Sequence, residues 1–279
     1  MNVKKTLTLA SLIVLVLTLS AAFTSSALGY YPLPLPGVRW LASWYLYTTL
    51  NPQYPKFTAM SPEAVTAIVW DYRGLDTLFE TAVFFLAIVG ALALMRGVSL
   101  KSVTENNGIA TGDVGGLSLI AKTAARLLTP LIIAVSASIA LHGHLTPGGG
   151  FQGGSAAAVA PLLLLVIFSV YFLLRRGVSE KPMLTLRTAG LLGIYLTALA
   201  VVFVGLATGV NAYVFQNQPK FDAPAGIPAY LFNTLVSGSL FLFNLSEYLA
   251  VAGGFTLVFI LLSIPEELVM SLIKGEEHE

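Results

Sequence analysis

The chain has 279 residues, 56% hydrophobic and only 10% charged, with a net charge of +1 and a mean hydropathy of +0.81. A soluble domain carries about 25% charged residues to wet its surface, and a disordered chain is charged and poor in apolar residues, so the composition excludes both. Fifteen basic against 14 acidic residues exclude a nucleic-acid binder by charge, and the absence of cysteine excludes disulfides, thiolate zinc sites and iron–sulfur ligation. What remains is an integral membrane protein with the lipid bilayer as its solvent, expected to be a multi-pass protein of the cell (plasma) membrane.

A helix crossing a hydrocarbon core of about 30 Å needs about 20 mainly apolar residues. The first such run, 6–28, follows the basic pair Lys4-Lys5. It reads either as a retained anchor or as a secretory leader cleaved near Ser25-Ser26-Ala27. Residues 30–62 are rich in proline and aromatics (Tyr30, Tyr31, Trp40, Trp44, Tyr45, Tyr47, Tyr54), which suits an interfacial belt at headgroup level. The second span is predicted at 75–95. Arg73, Asp76 and Glu80 around its start are spaced i, i+3, i+7 and so share one helix face.

Residues 96–121 turn polar, with Lys101, Glu105, Asn106, Asn107 and Asp113. They predict a cytoplasmic linker at 99–121 between a two-span part, 1–98, and a four-span part, 122–279. The later spans are predicted at 122–143, 155–174, 188–208 and 239–263. The loop 209–229 holds four amide residues, Lys220, Asp222 and three prolines. Glu247 falls about eight residues into the last span, one turn after Asn244 and before the pair Gly253-Gly254. Placing the N-terminus inside puts eleven of the fifteen lysines and arginines on the cytoplasmic side, with Arg39, Lys56, Arg73 and Lys220 outside. The expected fold is therefore all-α: an integral membrane helical bundle of six transmembrane helices with both termini cytoplasmic.

The most specific string is His142-Gly143-His144-Leu145-Thr146-Pro147-Gly148-Gly149-Gly150-Phe151-Gln152-Gly153-Gly154. Its five later glycines permit positive φ and close backbone approach, and it reads as irregular backbone buried in protein or lining a cavity. It lacks the lysine-plus-hydroxyl ending of a phosphate loop. His142 and His144 are open to a metal, a hydrogen-bonding or a relay role, with no cysteine or carboxylate at ligand spacing. Ionisable groups inside a membrane are costly and usually functional. Asp71, Asp76, Glu80, His142, His144 and Glu247 all fall in the outer half, whereas Lys122, Arg126 and Arg187 read as interfacial, leaving the inner half without a buried charge. Half a path implies a chain that works inside a larger assembly. No nucleophile–base–orienter set is present, so the chain is not expected to be an enzyme on its own.

The string from His144 through Pro147, Gly148, Gly149, Gly150 and Phe151 to Gly153 and Gly154 resembles the signature of the MnhB/MrpB-like subunit of multisubunit Mrp-type Na⁺/H⁺ antiporters, over roughly 120–262. The segment Ala67-Ile68-Val69-x-Asp71-Tyr72-Arg73-Gly74-x-Asp76-Thr77-x-x-Glu80 is similar to the C-terminal tail of the large A subunit of the same antiporters. The two parts are usually separate chains and are fused here. The resemblance implies a membrane subunit of an antiporter-type ion-translocation module, as found in archaeal ferredoxin-driven hydrogenase and sulfane-sulfur reductase complexes or in a stand-alone exchanger. It implies that Asp71, Arg73, Asp76, Glu80, His144 and, in a looser register, Glu247 handle ions, with the glycine string as a structural loop. Glu80 and Glu247 would take Na⁺ or H⁺ from an outer half-channel, with His144 as a titratable gate. Implied partners are other antiporter-like membrane subunits and, through the complex, iron–sulfur and nickel–iron-type peripheral subunits; no cofactor is implied for this chain. The competing expectation is a scaffold, with the carboxylates anchoring helices and the glycine loop as a docking surface.

Overall fold

The computed structural model describes residues 3–24, 38–54, 57–95, 117–264 and 270. Its helices are α1 (Val3–Thr24), α2 (Trp40–Thr49), the short turn α3 (Ala64–Thr66) that runs into a π-helical turn (Ala67–Tyr72), and α4 (Gly74–Leu94). Then follow α5 (Leu119–Leu141), α6 (Gly150–Phe168), α7 (Val170–Arg175), α8 (Glu180–Thr208) and α9 (Ser239–Leu262). The chain divides into two units, Met1–Trp44 and Tyr45–Glu279. In the first, the Trp40 and Trp44 rings meet edge-on at 6.4 Å.

Five helices, α4, α5, α6, α8 and α9, are long and apolar enough to cross a membrane; in α1 the apolar stretch, Leu9–Ala21, is shorter. Their ends follow local chemistry. The Ser118 side chain accepts from the Ala121 N–H and caps α5, and α8 stops at Gly209, which takes a left-handed φ of 71°. The expected polar linker and cleavage site lie almost wholly outside the described residues.

In the second unit α9 is the most buried of the five long helices. It packs against α8, α6, α5 and α4. At its N-terminal end Leu240 and Phe243 join Trp70, Ile194 and Ala59 in a buried core, with Trp70 stacked on Phe243 at 4.6 Å. The amide-rich loop binds the front segment. Asn217 Nδ2 donates to Ala59 O (2.7 Å), and Gln218 Nε2 and Lys220 Nζ both donate to Thr58 O (2.8 and 2.7 Å).

The described residues are helical, as expected, apart from one small hairpin in which Tyr230–Leu231 pairs antiparallel with Thr234–Leu235. Two expected spans change their bounds. The span expected at 155–174 starts earlier, inside the glycine string, and is broken at Ser169 (φ 127°) between α6 and α7. The Ile167 carbonyl beside that break accepts from the Leu117 N–H at 3.0 Å, which satisfies a backbone group the break sets free. The span expected at 188–208 begins at Glu180, so Arg187 lies inside the helix and not at its edge.

Candidate ion-binding site

The glycine string is helical from Gly150 onward. A helix so rich in glycine gives up intrinsic propensity, and the neighbours show what is gained. A Cβ on Gly150 would stand 2.6 Å from Glu247 Cβ and 2.7 Å from Glu247 Oε2. One on Gly153 would meet Ala140 Cβ and Ser136 O of α5 at 2.8 Å, and one on Gly154 would meet Val251 Cβ of α9 at 2.7 Å. The string thus lets α6 lie between α5 and α9 at close backbone distance, as small residues do in membrane helix packing. Only Gly148 and Gly149, with φ of 157° and 137°, need glycine for its conformation.

The close packing leaves a cavity of about 150 Å³ beside it. Its lining includes Glu80 and Thr77 of α4, Thr66 of α3, Gln152 of α6, and Asn244 and Glu247 of α9. Glu247 is 6% exposed, and Glu80, exposed on α4, lies close enough to act on it electrostatically. The Glu247 carboxylate also faces the Phe151 N–H at the start of α6, where a helix N-terminus favours negative charge. The nearby Trp70 indole N–H makes no well-formed hydrogen bond. Asn244 Nδ2 is buried without a partner among the described residues. Carboxylate, amide and hydroxyl oxygens are donor types that a hard cation takes, set here beside the apolar Val65, Val69 and Phe151.

The other expected residues stand apart. His144 is 3% exposed and is not in the cavity wall. Its Nε2 faces Leu235 O at 3.0 Å and its ring meets Phe241 edge-on. Its backbone carbonyl accepts from Ser61 Oγ at 2.7 Å. Burial lowers its pKa below the usual 6.5, with the Leu235 bond opposing. His142 is exposed, with Nδ1 2.9 Å from Ser138 O. Arg73 and Asp76 form an exposed i,i+3 ion pair. Asp71 lies in the last part of the π-helical turn, just before Tyr72, and its carboxyl is pushed up to about 6 by burial, with Lys220 opposing. Among the described residues no group of three His, Asp or Glu is placed to hold a metal ion.

The sequence does not single out Thr66, Thr77, Gln152 or Asn244 as site residues. Asn244 carries a signal, being one turn from Glu247; the others carry none. Arg187 reads as interfacial in the sequence, but the structure buries it, 1% exposed.

Five helices of membrane-crossing length define a multi-pass membrane protein, and three of them, α4, α6 and α9, line a cavity that carries two carboxylates. Residues 120–257 match the family model of a domain related to the MnhB subunit of Na⁺/H⁺ antiporter, and the chain belongs to that family. An uncharacterized protein of Methanocaldococcus jannaschii is 30% identical over 230 residues, 77% of this chain and 82% of that protein. A chain of the membrane-bound sulfane sulfur reductase, an archaeal respiratory membrane complex, is 27% identical with a TM-score of 0.57, covering 95% of this chain and all of that one. A chain of the Mrp complex from Dietzia sp. has the same fold at 21% identity and a TM-score of 0.57, over 95% of this chain and 26% of that chain.

Proposed function

We propose that the chain is the MnhB-like component of an antiporter-type ion module, and that the cavity between Glu80 and Glu247 holds the translocated cation. The family match and the likeness to two multisubunit membrane complexes support a membrane subunit of such a module. One observation carries the site: carboxylates on α4 and α9, far apart in sequence, line one cavity together with amide and hydroxyl oxygens. Two ionised carboxylates at close range repel, and a cation or proton between them offsets that repulsion. The packed glycines and the Phe151 N–H hold Glu247 in place, so the site is built before the ion arrives.

Six spans with both termini inside, and fusion of an A-tail-like front part to the MnhB-like part, complete the reading. The full-length likeness to a sulfane sulfur reductase chain supports a redox-driven parent complex over a stand-alone exchanger. In that setting the chain is non-catalytic, and the redox chemistry belongs to peripheral iron–sulfur and nickel–iron-type partners.

The test is Glu80→Gln and Glu247→Gln in the intact complex, with sodium uptake measured in inverted membrane vesicles and assembly on native gels. Losing one charge-assisted ligand, worth about 1.5–3 kcal/mol, lowers uptake about tenfold or more with assembly intact. Unchanged uptake overturns the site. Lost assembly favours the scaffold role.

A further inference from the structure

Arg187 is 1% exposed although it lies among membrane-spanning helices. Long basic side chains in such places ordinarily snorkel to an interface, and this one does not. Its guanidinium lies 4.3 Å from the Phe84 ring of α4 and 5.4 Å from that of Phe85. Nη1 donates to Ala250 O of α9 at 3.0 Å, whereas Nε and Nη2 find no hydrogen-bond partner among the described residues. The double glycine of α9 makes the room. A Cβ on Gly254 would overlap Nη1, and one on Gly253 would stand 3.0 Å from the Arg187 N.

Its place relative to the cavity is specific. Phe84 is one turn after Glu80 on α4, and Ala250 is one turn after Glu247 on α9. The guanidinium therefore meets both carboxylate-bearing helices about 5 Å further along than the carboxylates, on the seam between them. A buried cation that makes a single hydrogen bond and meets no carboxylate among the described residues is expensive. A chain needing only bulk there would carry an apolar side chain and no glycine pair.

We propose that Arg187 is the barrier of this ion path: a fixed positive charge that closes the end of the Glu80/Glu247 cavity facing Phe84 and Ala250, so that a cation bound there does not leak along the α4/α9 seam. The proposal rests on the cavity being the cation site. A like charge held inside the protein opposes a cation strongly, because the low local dielectric screens little.

The experiment uses the whole complex reconstituted in liposomes loaded with radioactive sodium, following passive efflux with no electron donor. Arg187→Gln raises efflux by about tenfold or more, Arg187→Lys stays as tight as the wild type, and adding Glu247→Gln to Arg187→Gln suppresses the leak. A tight Arg187→Gln complex overturns the barrier, as does a leak that Glu247→Gln leaves untouched. Where Arg187→Gln does not assemble, Gly254→Ala is measured, which keeps the charge but displaces it from Ala250; it leaks, and a tight complex counts against the proposal. Failure of both to assemble makes Arg187 a folding residue and overturns it equally. Failure of the cavity reading is seen separately, as sodium uptake that survives Glu80→Gln and Glu247→Gln.

Discussion

His144 carries its proton on Nε2, which faces the Leu235 carbonyl, so Nδ1 holds a lone pair in a buried place with no partner among the described residues. Charging the ring puts a second N–H there with no acceptor, and burial accordingly lowers the pKa below 6.5. In the unfolded chain the imidazole takes up a proton below about pH 6.5. The folded chain takes it up only at lower pH, so across that window the unfolded state binds more protons and stability falls as pH falls. The slope from one such group is at most about 1.4 kcal/mol per pH unit. Asp71 acts with the opposite sign: its folded value of about 6 lies above the ordinary 3.8, so its ionisation costs stability as pH rises between those values. The melting temperature of purified wild-type complex, followed from pH 7.5 to 5, is expected to carry a His144 decline that His144→Gln removes. Asp71→Asn steepens the decline by removing the opposing contribution. Identical profiles for wild type and His144→Gln would mean that the imidazole titrates as a solvated group. A neutral ring stapling the hairpin to the glycine loop also fits the geometry better than a gate.

At the scale of the helices, the glycines divide by what surrounds them. A Cβ on Gly90 of α4 meets nothing within 4 Å, whereas one on Gly150 of α6 runs into Glu247. Overpacking of this kind costs about 1–3 kcal/mol, while Gly→Ala in a free helix interior gains about 0.5–1 kcal/mol. Thermal unfolding of detergent-purified complexes should show Gly150→Ala destabilised and Gly90→Ala unchanged or slightly stabilised; equal effects would mean that α6 and α9 are not in close contact. The same contrast explains what sequence reading reaches. Apolar runs locate α4, α5, α8 and α9 because lipid demands an unbroken stretch of apolar residues. The start of α6 escapes it because Gly148–Gly154 has the composition of a loop, and the compensating contact with α9 is remote in sequence. The start of α8 escapes for a related reason: Arg187 reads as interfacial wherever a charge is taken to end a span. Glu80 and Glu247 are legible one by one as carboxylates in apolar helices. Their sharing of a cavity is not, since only the fold brings α4 to α9.

For the whole molecule, the orientation decides which compartment loads the cavity. The inside-first orientation puts eleven lysines and arginines on the cytoplasmic side, and removing the buried Arg187 leaves ten against four. The asymmetry therefore survives the correction, and the bias of basic residues toward the cytoplasm still applies. On that orientation Arg175, the last residue of α7, is expected inside and Asp222, in the 209–229 loop, outside; both are exposed and they flank α8 in the chain. The absence of cysteine makes this directly measurable, because a single introduced thiol has no background within the chain. With a membrane-impermeant maleimide on intact cells, Asp222→Cys is expected to label, and Arg175→Cys only after permeabilisation. The reverse pattern would turn the molecule over, so that Glu80 and Glu247 would load from the cytoplasm and the Arg187 barrier would face outward. Labelling of both positions in intact cells would mean an odd number of crossings between α7 and the 209–229 loop is not achieved, and α8 would then not span. Because α8 supplies the buried Arg187 and packs against α9, that outcome would remove the frame on which both the cavity and its barrier depend.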